Sequence, residues 1–137
     1  MDEIINYRNL SDKEKDKTLS QLIEIGFCPA YGGITSMKRE MGKSIEGTLP
    51  QYVFVRREGE LIGYMFLIAE KEHYSRVFPW WTVDNSDELP LETDIRLLQY
   101  GIELCVEANC LKLADRIHSQ MKDHKNGIGR RPKHLSR

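Results

Sequence analysis

Two side chains in the middle of this chain are of the right type for proton transfer. His73 lies between two β-rich runs, and an imidazole with a reference pKa near ~6.5 can take a proton from an amine at neutral pH. Asp84 follows the second run, and its carboxylate, like that of Glu72, can bind or deprotonate a cationic amine. Tyr74, next to His73, falls where a substrate cleft between strands would open. The competing readings are an exposed loop histidine and ordinary solvated carboxylates.

Other chemistries find less support. The three cysteines, Cys28, Cys105 and Cys110, have neither framework spacing nor a Cys-x-x-Cys pair, which argues against a disulfide scaffold and for a reducing compartment. No metal site is expected, because no His or Cys spacing suits one. Cys105 falls on an apolar helical stripe, where an inert buried thiol is expected.

Charge is unevenly spread. Residues 1–110 hold 12 basic and 19 acidic side chains, whereas residues 111–137 hold 8 and 2. A basic end on an acidic body can meet an anionic partner or dock on the body itself. It lacks interleaved aromatics that would stack on bases, so nucleic acid is not the expected partner. His124-Lys125-Asn126-Gly127-Ile128-Gly129 has a glycine spacing that can cradle phosphate, but Pro132 and the few residues beyond it leave no room for a long helix.

The elements that must position these groups follow from periodicity. Glu3 to Arg8 reads as a strand. Ser11 and Glu14 form a capping box ahead of a helix carrying Leu19, Leu22 and Ile23, which Gly26 ends. A second helix follows, with Ile34, Met37, Met41 and Ile45 on one face. Gln51 to Arg57 and Glu60 to Ala69 are β-rich runs around Glu58-Gly59, an antiparallel hairpin. The second run is apolar almost throughout, so both its faces are expected to be covered, and Gly63 marks a bulge or a close backbone approach. Tyr74 to Val83 is a third run, which Pro79 restricts to an edge or a bulge. Leu91 to Asn109 is helical, with Ile95, Leu98, Ile102, Cys105 and Val106 as its stripe and Thr93 or Asp94 as its cap. Leu111 to Ile117 reads as a last strand. The expected fold is α+β, a mixed, mainly antiparallel sheet flanked by helices in the order β-α-α-β-β-β-α-β. Residues 1–117 form the domain and residues 118–137 a flexible basic tail.

The opening Ile5-Asn6-Tyr7-Arg8-Asn9-Leu10-Ser11-Asp12, the hairpin from Val53 to Tyr64 with its acidic-Gly turn, and the Trp80-Trp81-Thr82-Val83 run before a long helix resemble the GNAT superfamily of acetyl-CoA-dependent N-acetyltransferases. The resemblance covers most of residues 3–117. It implies transfer of an acetyl group from acetyl-CoA to a small-molecule or protein amine, with His73 or Asp84 as the base. The backbone of Trp81, Thr82 and Val83 would pair with pantetheine where the fourth and fifth strands splay, and Tyr31 would border the acceptor. The sequence departs from the family pattern at the pyrophosphate loop, which has no glycine and carries Asp84, Asp87 and Glu88. Like charges there repel a pyrophosphate. The second function class is therefore a catalytically inactive binding or regulatory module on the same scaffold. An apolar run of ~20 residues and a leader are both missing from the chain, so the expected setting is cytoplasmic, without membrane. A free sheet edge makes a homodimer possible.

Overall fold

Alternation along the hairpin organises the molecule. In the computed structural model, which describes residues 2–24, 33–69, 77–81 and 89–128, four strands form one antiparallel sheet in the order β1-β2-β3-β4. They are β1 (Glu3–Asn6), β2 (Gln51–Arg57), β3 (Glu60–Ala69) and β4 (Val77–Trp81), the last described by its backbone path alone. Glu58 and Gly59 both have positive φ, at 52° and 83°, which is the backbone twist a tight two-residue hairpin requires.

Successive side chains of β2 point to opposite faces. Val53 and Val55 join Met65 and Leu67 on one face; Tyr52 and Phe54 join Phe66 on the other. Helices cover both. The first face packs on α3 (Leu91–Glu107) and α4 (Leu111–Lys125) through Leu97, Leu98, Leu104, Leu113 and Ile117. The second packs on α1 (Asp12–Glu24) and α2 (Ile34–Met41) through Leu19, Leu22, Met37 and Met41. The covering of both faces is why β3 could be apolar along nearly its whole length.

A bulge sets which side chains serve which face. Val55 pairs with Gly63 but Arg56 pairs with Leu61, so Ile62 is the extra residue. The slip places Leu61 in the α1/α2 core, where strict alternation with Met65 would have sent it to the other. Gly63 then faces Leu89, whose methyl carbons lie 3.3–3.4 Å from where a Cβ would stand. α1 is docked on this end of the hairpin. Gln21 accepts from the Leu61 amide at 3.1 Å and donates to the Gly59 carbonyl at 3.4 Å.

Several expectations are corrected. β1 ends at Asn6, and a short 3-10 turn, Tyr7–Asn9, takes the place of the strand's expected end. Ser11 Oγ does accept from the Glu14 amide, but the Glu14 carboxylate binds Arg56 at 2.7 Å, an ion pair with β2 in place of the expected return to the cap. Ile45 is exposed and does not share the buried face of α2. The α3 stripe is rotated: Leu97, Leu98, Gly101, Leu104 and Cys105 are buried and Val106 is exposed. α3 also begins earlier than a Thr93 or Asp94 cap would have it, since Leu91 is already helical.

The largest correction concerns residues 111–117. They form the first half of α4, so the described sheet is wholly antiparallel and has no fifth strand. Leu113, Ile117, Met121 and His124 are buried at spacings of four, four and three residues, the period of a helix. The boundary expected at residue 117 therefore falls inside a helix whose second half is part of the core. Residues 129–137 lie outside the described set. Among the described residues, no helix is long and apolar enough to cross a membrane.

Candidate functional site

Trp81 is the last residue of β4, and its backbone pairs with Met65. Tyr31, His73, Tyr74, Thr82, Val83 and Asp84 lie outside the described residues, as do Glu72 and Gly26. The splayed pair of strands expected to receive acetyl-CoA does not form among the described residues, because α4 follows α3 directly.

The described polar groups converge elsewhere, along β1 and α3. Asp2 is buried, and its two carboxylate oxygens accept from Arg57 Nε and Nη2 at 2.8 and 3.0 Å and from Thr93 Oγ1 at 2.8 Å. Arg96 Nη1 donates to the Asp2 carbonyl at 3.3 Å. Four residues on, Asn6 Nδ2 donates to the Tyr100 hydroxyl at 3.2 Å and to Gln51 Oε1 at 2.9 Å. The pairs Asp2–Thr93 and Asn6–Tyr100 run in the same direction along strand and helix. They clamp α3 beside β1 at both ends.

A third contact fixes α4. His124 Nδ1 donates to Asp94 Oδ2 at 2.8 Å, with both side chains over nine-tenths buried. This joins the last turn of α4 to the first turn of α3. Around that junction lies a depression of about 440 Å³. Ile4, Ile95 and Met121 give it apolar surface; Arg96 and Lys125 give it two cations, and Glu103, just under two helical turns from Arg96 on the same face, gives it one carboxylate. The α3 residues that line it are opposite the helix's buried stripe, so the depression is open to solvent. Its volume is in the range of small-ligand sites. The chemistry it offers is capture: charge-assisted donors for an anion next to apolar carbon. Among the described residues, no nucleophile with an aligned base lines it. Among the described residues, no group of three or more metal-ligating side chains comes together.

Over Leu111 to Ile117 alone, seven residues, the apolar pattern fits a strand as well as a helix, which hides this region from the sequence. Extending the window to Met121 and His124 would have shown the helical period, with a histidine on its apolar face in search of a partner.

Asp2 carries a measurable consequence. The Arg57 guanidinium, helped by the Thr93 hydroxyl and against the cost of burial, holds its carboxyl at about 2, from an ordinary 3.8. A lowered folded-state pKa contributes stability that is full above about pH 4 and is lost as pH falls to about 2. With Arg57 half-exposed, solvent screening leaves about 1–2 kcal/mol. The urea midpoint should fall across that window more steeply in the native chain than in Asp2→Asn, which should start lower and lose less.

No family model, curated protein or solved structure matches this chain.

Proposed function

We propose that this protein is a binding module for a small anion with an apolar body, a carboxylate being the simplest case, and that it takes this ligand where α3, α4 and β1 meet. The observation that carries the reading is the depression itself: Arg96 from α3 and Lys125 from α4 line it together with Ile4, Ile95 and Met121, with Glu103 as its one carboxylate among the described residues, and the Asp94–His124 contact holds the two helices there. Two cations over hydrocarbon bind an amphipathic anion by adding charge-assisted hydrogen bonds to apolar burial.

Acetyl transfer from acetyl-CoA is the second reading. It is favoured by the element order β1, α1, α2, β2, β3, β4, α3, which agrees with the order that the GNAT resemblance implies up to its long helix. Against it stands the helix formed by residues 111–125, which removes the partner strand that would part from β4.

Amide chemical-shift titrations decide between them. Hexanoate should perturb Ile4, Ile95, Arg96 and Lys125, and acetate much less. Arg96→Met and Lys125→Met should each weaken hexanoate binding about tenfold, the equivalent of ~1.4 kcal/mol. Saturable binding of acetyl-CoA elsewhere, with acetylation of an added amine and no response to hexanoate, would establish the transferase reading instead.

A further inference from the structure

The turn between α3 and α4 brings two cysteines together. Asn109 sits in the left-handed region at φ 59°. The Cys110 amide donates to the Cys105 carbonyl at 2.8 Å, and the Asn109 amide to the Val106 carbonyl at 3.0 Å. This pair of bonds, six residues to one and five to two, is a Schellman closure, which folds the side chain after the left-handed residue back over the helix's last turn. The two positions that such a closure puts in contact are here Cys105 and Cys110.

Their surroundings agree. Cys105 is fully buried in the α3/α4 core, and Cys110, half-buried, packs against the same cluster. Cys110 Sγ lies 3.6 Å from the Ala108 carbonyl, turned back over the end of α3. Both thiols are reduced in this structure.

We propose that Cys105 and Cys110 are a redox pair, which a low-molecular-weight disulfide converts to an intramolecular bond across the α3–α4 turn. The Cys110 thiolate, on the more accessible sulfur, attacks the oxidant RSSR, forms Cys110–S–SR and releases RS⁻. Cys105 then gives up its proton to solvent, and its thiolate attacks the Cys110 sulfur and expels the second RS⁻. Two protein thiols lose two electrons and two protons, and one RSSR becomes two RSH. In the reduced protein, burial, with a charge on neighbouring Cys110 adding to it, pushes the Cys105 thiol up to about 12, and the larger of these causes, burial, persists once Cys110 carries the SR group. The second step is therefore slow at neutral pH and speeds up as pH rises. The crosslink ties the end of α3 to the start of α4 in the arrangement they already hold, so oxidation stiffens the turn without displacing the helices.

The test uses the full chain with Cys28→Ser, treated with oxidised glutathione and read by mass spectrometry of non-reduced peptides. The expected product has lost two hydrogens and carries a Cys105–Cys110 link, and its yield at fixed time rises roughly tenfold for each pH unit between about pH 7 and pH 9. Adding Cys105→Ser should instead trap the glutathione adduct on Cys110. An adduct on Cys110 that persists at about pH 9 while Cys105 is intact would overturn the proposal, as would two thiols that alkylate independently after the same treatment or a link between two chains. Amide spectra of oxidised and reduced protein that differ only near the turn would show that the pair closes in the native fold. Widespread change would show that it closes only after unfolding, and that result also overturns it.

Discussion

Replacing Phe54 by alanine should cost about 3–5 kcal/mol of unfolding free energy, a large share of the ~5–15 kcal/mol that a domain of this size has. Phe54 is 1% exposed and stands at the centre of the core under α1 and α2. Its ring centroid lies 6.2 Å from that of Tyr7 and 5.9 Å from that of Phe66, the latter edge-on. Truncation therefore removes both apolar burial and two ring contacts, and it opens a cavity between a strand and two helices that cannot easily collapse. Urea unfolding measures the loss. Ile45→Ala, on an exposed side chain, should change stability by no more than about 0.5 kcal/mol and serves as the control. A loss at Phe54 below about 1 kcal/mol would mean that this core is not packed as described.

Gln51→Leu should lose roughly 2–4 kcal/mol, although leucine nearly matches glutamine in volume. Gln51 is 1% exposed, yet it makes four hydrogen bonds. Its Nε2 donates to the carbonyls of Ile45 and Thr48 at 2.9 and 2.8 Å. Its Oε1 accepts from Asn6 Nδ2 at 2.9 Å and from Arg8 Nε at 3.1 Å. One amide thus holds the loop entering β2 and the exit from β1. Leucine deprives two carbonyls and two donors of this partner, and such groups cost free energy when they are not resolvated. A packing role alone predicts less than about 1.5 kcal/mol for a near-isosteric swap, so the measured loss separates the two. Because Asn6 also donates to Tyr100, the same variant should loosen one end of the β1–α3 clamp. Slower amide exchange at Tyr100 in the variant would contradict that coupling.

What could be read without coordinates was local. The hairpin is an example: β-rich runs around Glu58-Gly59 fixed the strands and turn at the residues observed, since the turn depends only on two residues that accept positive φ. Ser11 as a helix cap is equally local, a side-chain oxygen beside an amide three residues on; Gly63 marks a close approach by its missing Cβ, but the neighbour that approaches, Leu89, only the fold supplies. At Gly101 a Cβ would stand 2.7 Å from the terminal methyl of Met65, a flexible side-chain end that would have to shift to admit it. The α+β class follows from counting such elements.

The failures share a cause. Ser11 could be named as a cap, but Glu14 had a better offer from Arg56, forty-two residues away. Leu111 to Ile117 passes for a strand over seven residues, and it is a helix because Leu113, Ile117 and Met121 have the α3 face to pack on. The pairing of Asp94 with His124 and of Asp2 with Thr93 joins residues 30 and 91 apart.

Composition and short-range pattern by themselves determined the turn at Glu58-Gly59, which runs are β-rich, and that both faces of β3 had to be covered. Tertiary structure decided that Ile62 would bulge, that α3 would turn Leu97 and Leu104 inward, and that α4 would replace a fifth strand. The physical reason is that backbone propensities differ by about 1 kcal/mol or less per residue, whereas burying one large side chain against a partner is worth about 1.5–3 kcal/mol. Where the two disagree, the distant contact prevails, and only the folded chain shows which contact that is.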